Sequence, residues 1–158
     1  MGNISGRLIS LIFIFVVILW PSTSPAVDLY LPEINAKSGQ SIDVPIMIDR
    51  VKNLAGVKLV LRYDSGILKF KKSSKTEKSG SMMHIVNDKK PGRLIIVMAA
   101  AKGIKGENFS IFNLIFEIKK GLTGKQSTII KIDKVQLMTD QLKEVKCNTK
   151  VNPIIILP

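Results

Sequence analysis

Apolar and polar residues alternate along most of this chain, and the alternation is clearest in residues 42–70. Every second residue of 42–48 is isoleucine or valine, and in 57–63 Val57, Leu59, Leu61 and Tyr63 again share one side. Because successive side chains of a β-strand point to opposite faces, each run predicts a strand with one face in a core. The spacings of three and four that would indicate a helix are missing from these runs.

Similar short runs, separated by Gly, Pro, Asn and Asp, continue towards the C-terminus. The strands predicted from them cover residues 27–31, 42–49, 57–63, 67–71, 82–87, 93–101, 111–120 and 129–138, with one or two more in 145–157. The lysine-rich segments 71–81 and 102–107 are predicted to be loops. Eight or nine short strands predict an all-β fold, an antiparallel two-sheet sandwich of jelly-roll or immunoglobulin type.

The N-terminus has the pattern of a secretory signal peptide. A start carrying Arg7 precedes an apolar block ending at Trp20, and small residues follow up to Ala26. We therefore predict a signal peptide in residues 1–26 and a single domain in 27–158. The predicted location is secreted, periplasmic or at the cell surface. The apolar block is shorter than the roughly 20 residues needed to span a bilayer, so the mature form is expected not to span the membrane, although an uncleaved anchor remains an alternative.

The charge is strongly positive, +12 from 24 basic and 12 acidic residues. An exported protein with this excess is expected to adhere to anionic polysaccharides or cell-envelope polymers. Nucleic acid is not an expected partner, because the lysines are scattered and are not interleaved with stacking aromatics.

Catalytic chemistry is not predicted. His84 is the only histidine and Cys147 the only cysteine, so a metal site or a nucleophilic relay would depend on single residues. The twelve acids are dispersed, and no glycine-rich phosphate loop is present. We therefore predict a binding module, not an enzyme, without a metal or cofactor of its own.

Several short motifs occur in a characteristic order along the chain. They are Gly39 before residues 42–45 (IDVP), 54–56 (LAG), 59–64 (LVLRYD), 67–70 (ILKF), Pro91-Gly92, 111–118 (IFNLIFEI), 135–137 (VQL) and Asp140. In this order and spacing the chain resembles a cohesin module, the receptor half of cohesin–dockerin pairs. The resemblance implies a nine-stranded jelly-roll sandwich that docks a dockerin, a small calcium-loaded helical module, on one sheet face. Any calcium would then belong to the partner.

The alternation itself indicates which residues would form that face. If Leu59 and Leu61 point into the core, their neighbours on the same strand point outwards, and the same holds for the strand 93–101. Side by side, the two strands would present an apolar centre with a basic edge, the usual composition of a protein interface. The predicted partner-binding residues are Lys58, Val60, Arg62, Ile95 and Val97.

Some features depart from the family pattern, and two other functions remain open. Gly56 and Lys58 stand where many cohesins have polar or acidic residues, and Ser65 replaces a common proline, so the usual partner specificity is not carried over to this chain. A carbohydrate-binding module is one alternative, although only Tyr30 and Phe109 are expected outside the core to stack on sugars. An accessory subunit of an envelope or secretion assembly is the other.

Overall fold

A computed structural model describes residues 26–157 of the chain, and these residues form strands without any helix. The bounds are β1 Val27–Leu31, β2 Ile34–Lys37, β3 Ser41–Arg62, β4 Leu68–Lys75, β5 Met83–Lys90, β6 Arg93–Ile118, β7 Gln126–Thr128, β8 Lys131–Met138, β9 Glu144–Val145, β10 Cys147–Val151 and β11 Ile154–Leu157. The predicted signal peptide falls outside the described residues, apart from Ala26. Within residues 26–157 no helix is long and apolar enough to cross a membrane.

Two unusually long strands organise the domain. β3 and β6 pair antiparallel from Ser41↔Glu117 to Arg62↔Arg93, with register shifts between Ile46 and Met47 and again around Leu54. Such irregularities bend a strand and increase its local twist. At one end of the β3–β6 pair, β1, β10 and β4 extend the sheet, whereas at the other end β8, β9 and β5 extend it. A second sheet has the order β2-β11-β7.

The core lies between the two ends of the bent β3–β6 pair. Leu59 and Ile96 from one end belong to the same buried cluster as Ile46 and Leu114 from the other. The His84 ring on β5 lies 5.7 Å from the ring of Phe112, which is near the opposite end of β6. The two ends therefore face each other across one core, and the predicted β-sandwich is confirmed.

Strand orientation is mixed, where the sequence predicted an antiparallel arrangement. β1 pairs with β10 in parallel, from Val27↔Cys147 to Leu31↔Val151, and β2 pairs with β11 in parallel, from Ile34↔Ile154 to Lys37↔Leu157. All other pairs are antiparallel. Alternation fixes which side chains face the core but carries no information on the direction of the neighbouring strand.

Both predicted lysine-rich loops are largely strand. Residues 102–107 lie inside β6 and pair with residues 50–54 of β3, and β4 continues to Lys75 beside β6. Only residues 76–81 form a turn, in which the Ser79 hydroxyl accepts a hydrogen bond of 3.0 Å from the Thr76 amide. Exposed strands at a bend bury few apolar side chains, so their composition resembles that of a loop.

At the bend, Gly103 allows β6 to approach β3 closely. A Cβ atom at position 103 would overlap with the Asn53 side chain and come within 2.7 Å of its carbonyl carbon. Asp140 joins the two strands from a third segment, because its carboxylate accepts hydrogen bonds from the Asn53 side-chain amide and from the Gly103 amide, the latter at 3.3 Å.

Replacing this glycine is expected to weaken the bend. Gly103→Ala should lower the free energy of unfolding by about 1–3 kcal/mol, because the backbones must separate and the Asn53–Asp140 hydrogen bond is strained. Urea denaturation measures the loss. Asn53→Ala isolates the hydrogen bond, and a Gly103→Ala protein as stable as the wild type would show that the bend adapts without cost.

Candidate functional site

Four neighbouring strands present a continuous outer surface, in the order β8-β3-β6-β5. Residues in register across an antiparallel sheet point to the same face, so the surface consists of four transverse rows. We name it the four-strand face. From β8 to β5 its rows are Met138–Gly56–Ala99–Met83, Gln136–Lys58–Val97–Ile85, Lys134–Val60–Ile95–Asn87 and Lys131–Arg62–Arg93–Lys90.

The structure places all five residues predicted for partner binding on this face. Lys58 is in register with Val97, and Val60 is in register with Ile95, while Arg62 lies one row further along. Lys58 and Arg62 are exposed, Ile95 and Val97 are half-buried, and Val60 is only 6% exposed. Val60 therefore forms the floor of the face and the others its accessible surface.

A shallow pocket of about 580 Å³ opens at the basic end of the face. It is lined by Lys58, Val60, Arg62, Lys90, Arg93, Ile95, Asp133 and Lys134. Asp133 reaches the pocket because the pairing of β8 with β3 is irregular between Val60 and Leu61. Its carboxylate forms an ion pair with the Arg62 guanidinium. At an exposed site such a pair orients the arginine more than it stabilises the fold.

The strand β5 also contributes to the face, although its residues are not among those predicted from the sequence. Met83 and Ile85 are 55% and 52% exposed, although both are large apolar residues, and they are in register with Ala99 and Val97. A signal for this was present in the sequence, because residues 88–92 (DKKPG) have the composition of a hairpin turn, which would place the strand 82–87 beside the strand 93–101. The basic residues Lys90, Arg93, Lys131 and Lys134 were also not singled out.

The sequence profile of the family described as "Cohesin domain" matches residues 27–156 of the chain. The chain belongs to the cohesin family. Among curated protein sequences, no relative matches it. The family is one of non-catalytic binding modules, and the resemblance noted in the motif order is confirmed.

Solved cohesin structures share the fold of this cohesin at low sequence identity. A non-cellulosomal cohesin from the archaeon Archaeoglobus fulgidus is 18% identical with a TM-score of 0.74, covering 85% of this chain and 93% of that one. The OlpC cohesin of Clostridium thermocellum, solved in a type I cohesin–dockerin complex, is 17% identical with a TM-score of 0.72, covering 85% and 97%. The sixth cohesin of Acetivibrio cellulolyticus scaffoldin B, solved with a dockerin, is 16% identical with a TM-score of 0.72, covering 84% and 99%.

The only histidine of this cohesin lies away from the four-strand face. The His84 Nε2 atom is 3.1 Å from the Ser73 hydroxyl, which is also 3.2 Å from the Asn113 carbonyl oxygen that it can donate to. Within residues 26–157 no carboxylate hydrogen-bonds to the His84 ring, and no cluster of three His, Cys, Asp or Glu side chains could hold a metal ion. The Ser73–His84 contact thus joins β4 and β5, and among the described residues no carboxylate completes a catalytic relay by orienting the ring.

Burial, and then the charge of Lys75, lower the pKa of His84 below its ordinary value of 6.5. In the unfolded chain the imidazole takes up a proton near that ordinary value, whereas the folded protein resists protonation. The free energy of unfolding should therefore decrease as the pH falls from neutral through 6.5. Denaturation at several pH values measures this slope. His84→Gln should make the free energy of unfolding less dependent on pH between pH 7 and 5.5. An unchanged dependence would show that other groups cause it.

The single cysteine is half-buried on β10, as expected for a strand residue. Burial raises the pKa of the Cys147 thiol to about 11. The thiol is therefore protonated at neutral pH, and a protonated thiol is a poor nucleophile and metal ligand.

The aromatic residues offer little surface for sugar stacking. Phe109, expected outside the core, is in fact buried, and it packs in the main cluster. Tyr30 is half-buried on β1, on the other side of the sandwich from the four-strand face. None of the sixteen positions of the four-strand face is aromatic.

Proposed function

We propose that this cohesin is a non-catalytic module that binds a dockerin-type protein through its four-strand face. The observation that carries the proposal is the exposure of Met83 and Ile85 beside half-buried Val97 and Ile95, on a face bordered by charged side chains. An apolar centre with a polar rim is the usual anatomy of a protein interface. Large exposed apolar residues in one patch mark such surfaces.

Two further considerations support a dockerin-type partner. The similar cohesins of Clostridium thermocellum and Acetivibrio cellulolyticus were each solved in a complex with a dockerin. In addition, the cohesin resemblance implies that any calcium required for binding belongs to the partner. The signal peptide predicted in residues 1–26 supports binding of the partner outside the cytoplasm.

A calcium-controlled pull-down tests the proposal. The purified protein is immobilised and exposed to secreted and envelope proteins of the source organism, with calcium or with EDTA. We expect retention, only with calcium, of a protein carrying duplicated calcium loops of the type D-x-[DN]-x-[DN]-G. Retention of cell-wall polymer or glycan that is lost at high salt and indifferent to EDTA would contradict the proposal and favour a surface-binding function.

A further inference from the structure

The four-strand face is electrically asymmetric along the strand direction. The row that contains Met83 and Met138 has no charged side chain, whereas all four positions of the opposite row are basic: Lys131, Arg62, Arg93 and Lys90. Each of the two rows between them has one lysine, Lys58 or Lys134. The face therefore changes from apolar to strongly positive over the length of four rows.

The protein itself neutralises little of this positive end. Asp133 pairs with Arg62, but within residues 26–157 no ion pair involves Lys90, Arg93, Lys131 or Lys134. All of these basic residues are exposed. Like charges directly opposite one another on neighbouring strands destabilise a sheet. A complete row of basic residues therefore lowers the stability of the folded state, and a bound anionic group would offset this loss.

We propose that the basic end of the four-strand face binds a carboxylate-rich segment of the partner protein, while the apolar end receives the partner's apolar side chains. This inference rests on the proposed function and adds the chemistry of the partner. Arg62 and Arg93 are in register, and their planar guanidinium groups are suited to bidentate contacts with carboxylates. The pocket of about 580 Å³ beside them is open to acidic side chains. The asymmetry also fixes one orientation of the partner on the face.

A protein segment fits this surface better than a polyanionic sugar does. The basic row adjoins an apolar floor formed by Val60 and Ile95, and the exposed side chains of Ile85 and Met83 continue that apolar surface. A polysaccharide would gain nothing from the apolar end, because the face carries no aromatic ring for stacking. An acidic and partly apolar protein surface complements both ends.

The probe for the basic end is a fluorescent octaglutamate peptide, and its binding to the purified protein is measured by fluorescence anisotropy at low salt. Arg93→Glu/Lys131→Glu should weaken binding about tenfold, because attraction at two contacts becomes repulsion. The matched control is Lys72→Glu/Lys150→Glu, which changes the net charge equally on exposed positions of β4 and β10. This control variant should change the affinity for octaglutamate by less than about twofold.

Equal losses in both variants would overturn the inference, because only the net charge would then attract the peptide. Tighter binding of an octagalacturonate chain of the same charge would also overturn it, in favour of an acidic polysaccharide. Concentration-dependent self-association that is abolished by the basic-end substitutions would assign the face to a second copy of this chain and overturn it as well.

Measurements with the protein captured in the pull-down separate this inference from the proposed function. If Val97→Asp abolishes capture but Arg93→Glu/Lys131→Glu leaves it intact, the face binds the partner and the acidic-segment inference fails. If octaglutamate selects the basic end but Val97→Asp leaves capture intact, the proposed function fails. Loss of capture in both variants, with capture retained by Lys72→Glu/Lys150→Glu, is the result that we expect.

Discussion

Phe116→Ala is expected to lower the free energy of unfolding by about 3–5 kcal/mol. Phe116 is fully buried on β6, and its ring is in edge-on contact with those of Tyr63 and Phe70, with centroids 5.0 and 5.6 Å away. Tyr63 directly follows β3, and Phe70 lies on β4. Truncation would therefore leave a cavity where three segments meet, and urea denaturation measures the loss.

The neighbouring residue provides the control for this substitution. Ile115 is half-buried on the opposite face of the same strand, so Ile115→Ala should cost about 1 kcal/mol or less. A similar loss of stability in both variants would show that the aromatic cluster contributes no more to stability than an outward-facing side chain does.

Val97→Asp should weaken partner binding roughly 100-fold, because it places a charged carboxylate at the apolar centre of the interface, where the partner's apolar side chains would be buried. Val97 is half-buried between Lys58 on β3 and Ile85 on β5, and it points away from the core. The free energy of unfolding should therefore change by no more than about 1 kcal/mol. Surface plasmon resonance with the captured partner measures the affinity, and urea denaturation measures the stability.

The matched control is Ile115→Asp, the same kind of change at a half-buried outward position on the other half of β6. Lys72 and Asp43 are in register with Ile115 on its two sides, so the local charge around the new carboxylate is balanced. The affinity of the Ile115→Asp variant for the partner should equal that of the wild type. If Val97→Asp unfolds the protein, Val97 belongs to the core and the assigned face is wrong.

Much of the fold could be predicted because branched aliphatic residues alternate with polar ones in the buried strands. In residues 42–48 and 57–61 the alternation matches the burial closely: Ile46, Ile48, Leu59 and Leu61 are fully buried. From the same rule Lys58 and Val97 could be placed on one outer face. The motif order then identified the family.

Other features depend on contacts between distant segments that alternation does not encode. The predicted breaks in β3 and β6 are bulges in continuous strands, because each strand supplies the other's hydrogen-bond partners through the bend. The parallel pairing of β1 with β10 follows from the return of the chain to its first strand. The basic row appears only once β5, β6, β3 and β8 lie side by side, since its four residues are dispersed along the sequence.

The continuous pairing of β3 with β6 has a consequence for the order in which the chain folds. The contact that requires the shortest loop is Arg62↔Arg93, separated by about 30 residues, while the pair Ser41↔Glu117 lies at the far end of the same ladder. Once the first contact forms, each further pair lies next to one already made, so the entropy of loop closure is lost mainly in the first step. We expect the ladder to close progressively, from the basic row through the bend to Ser41.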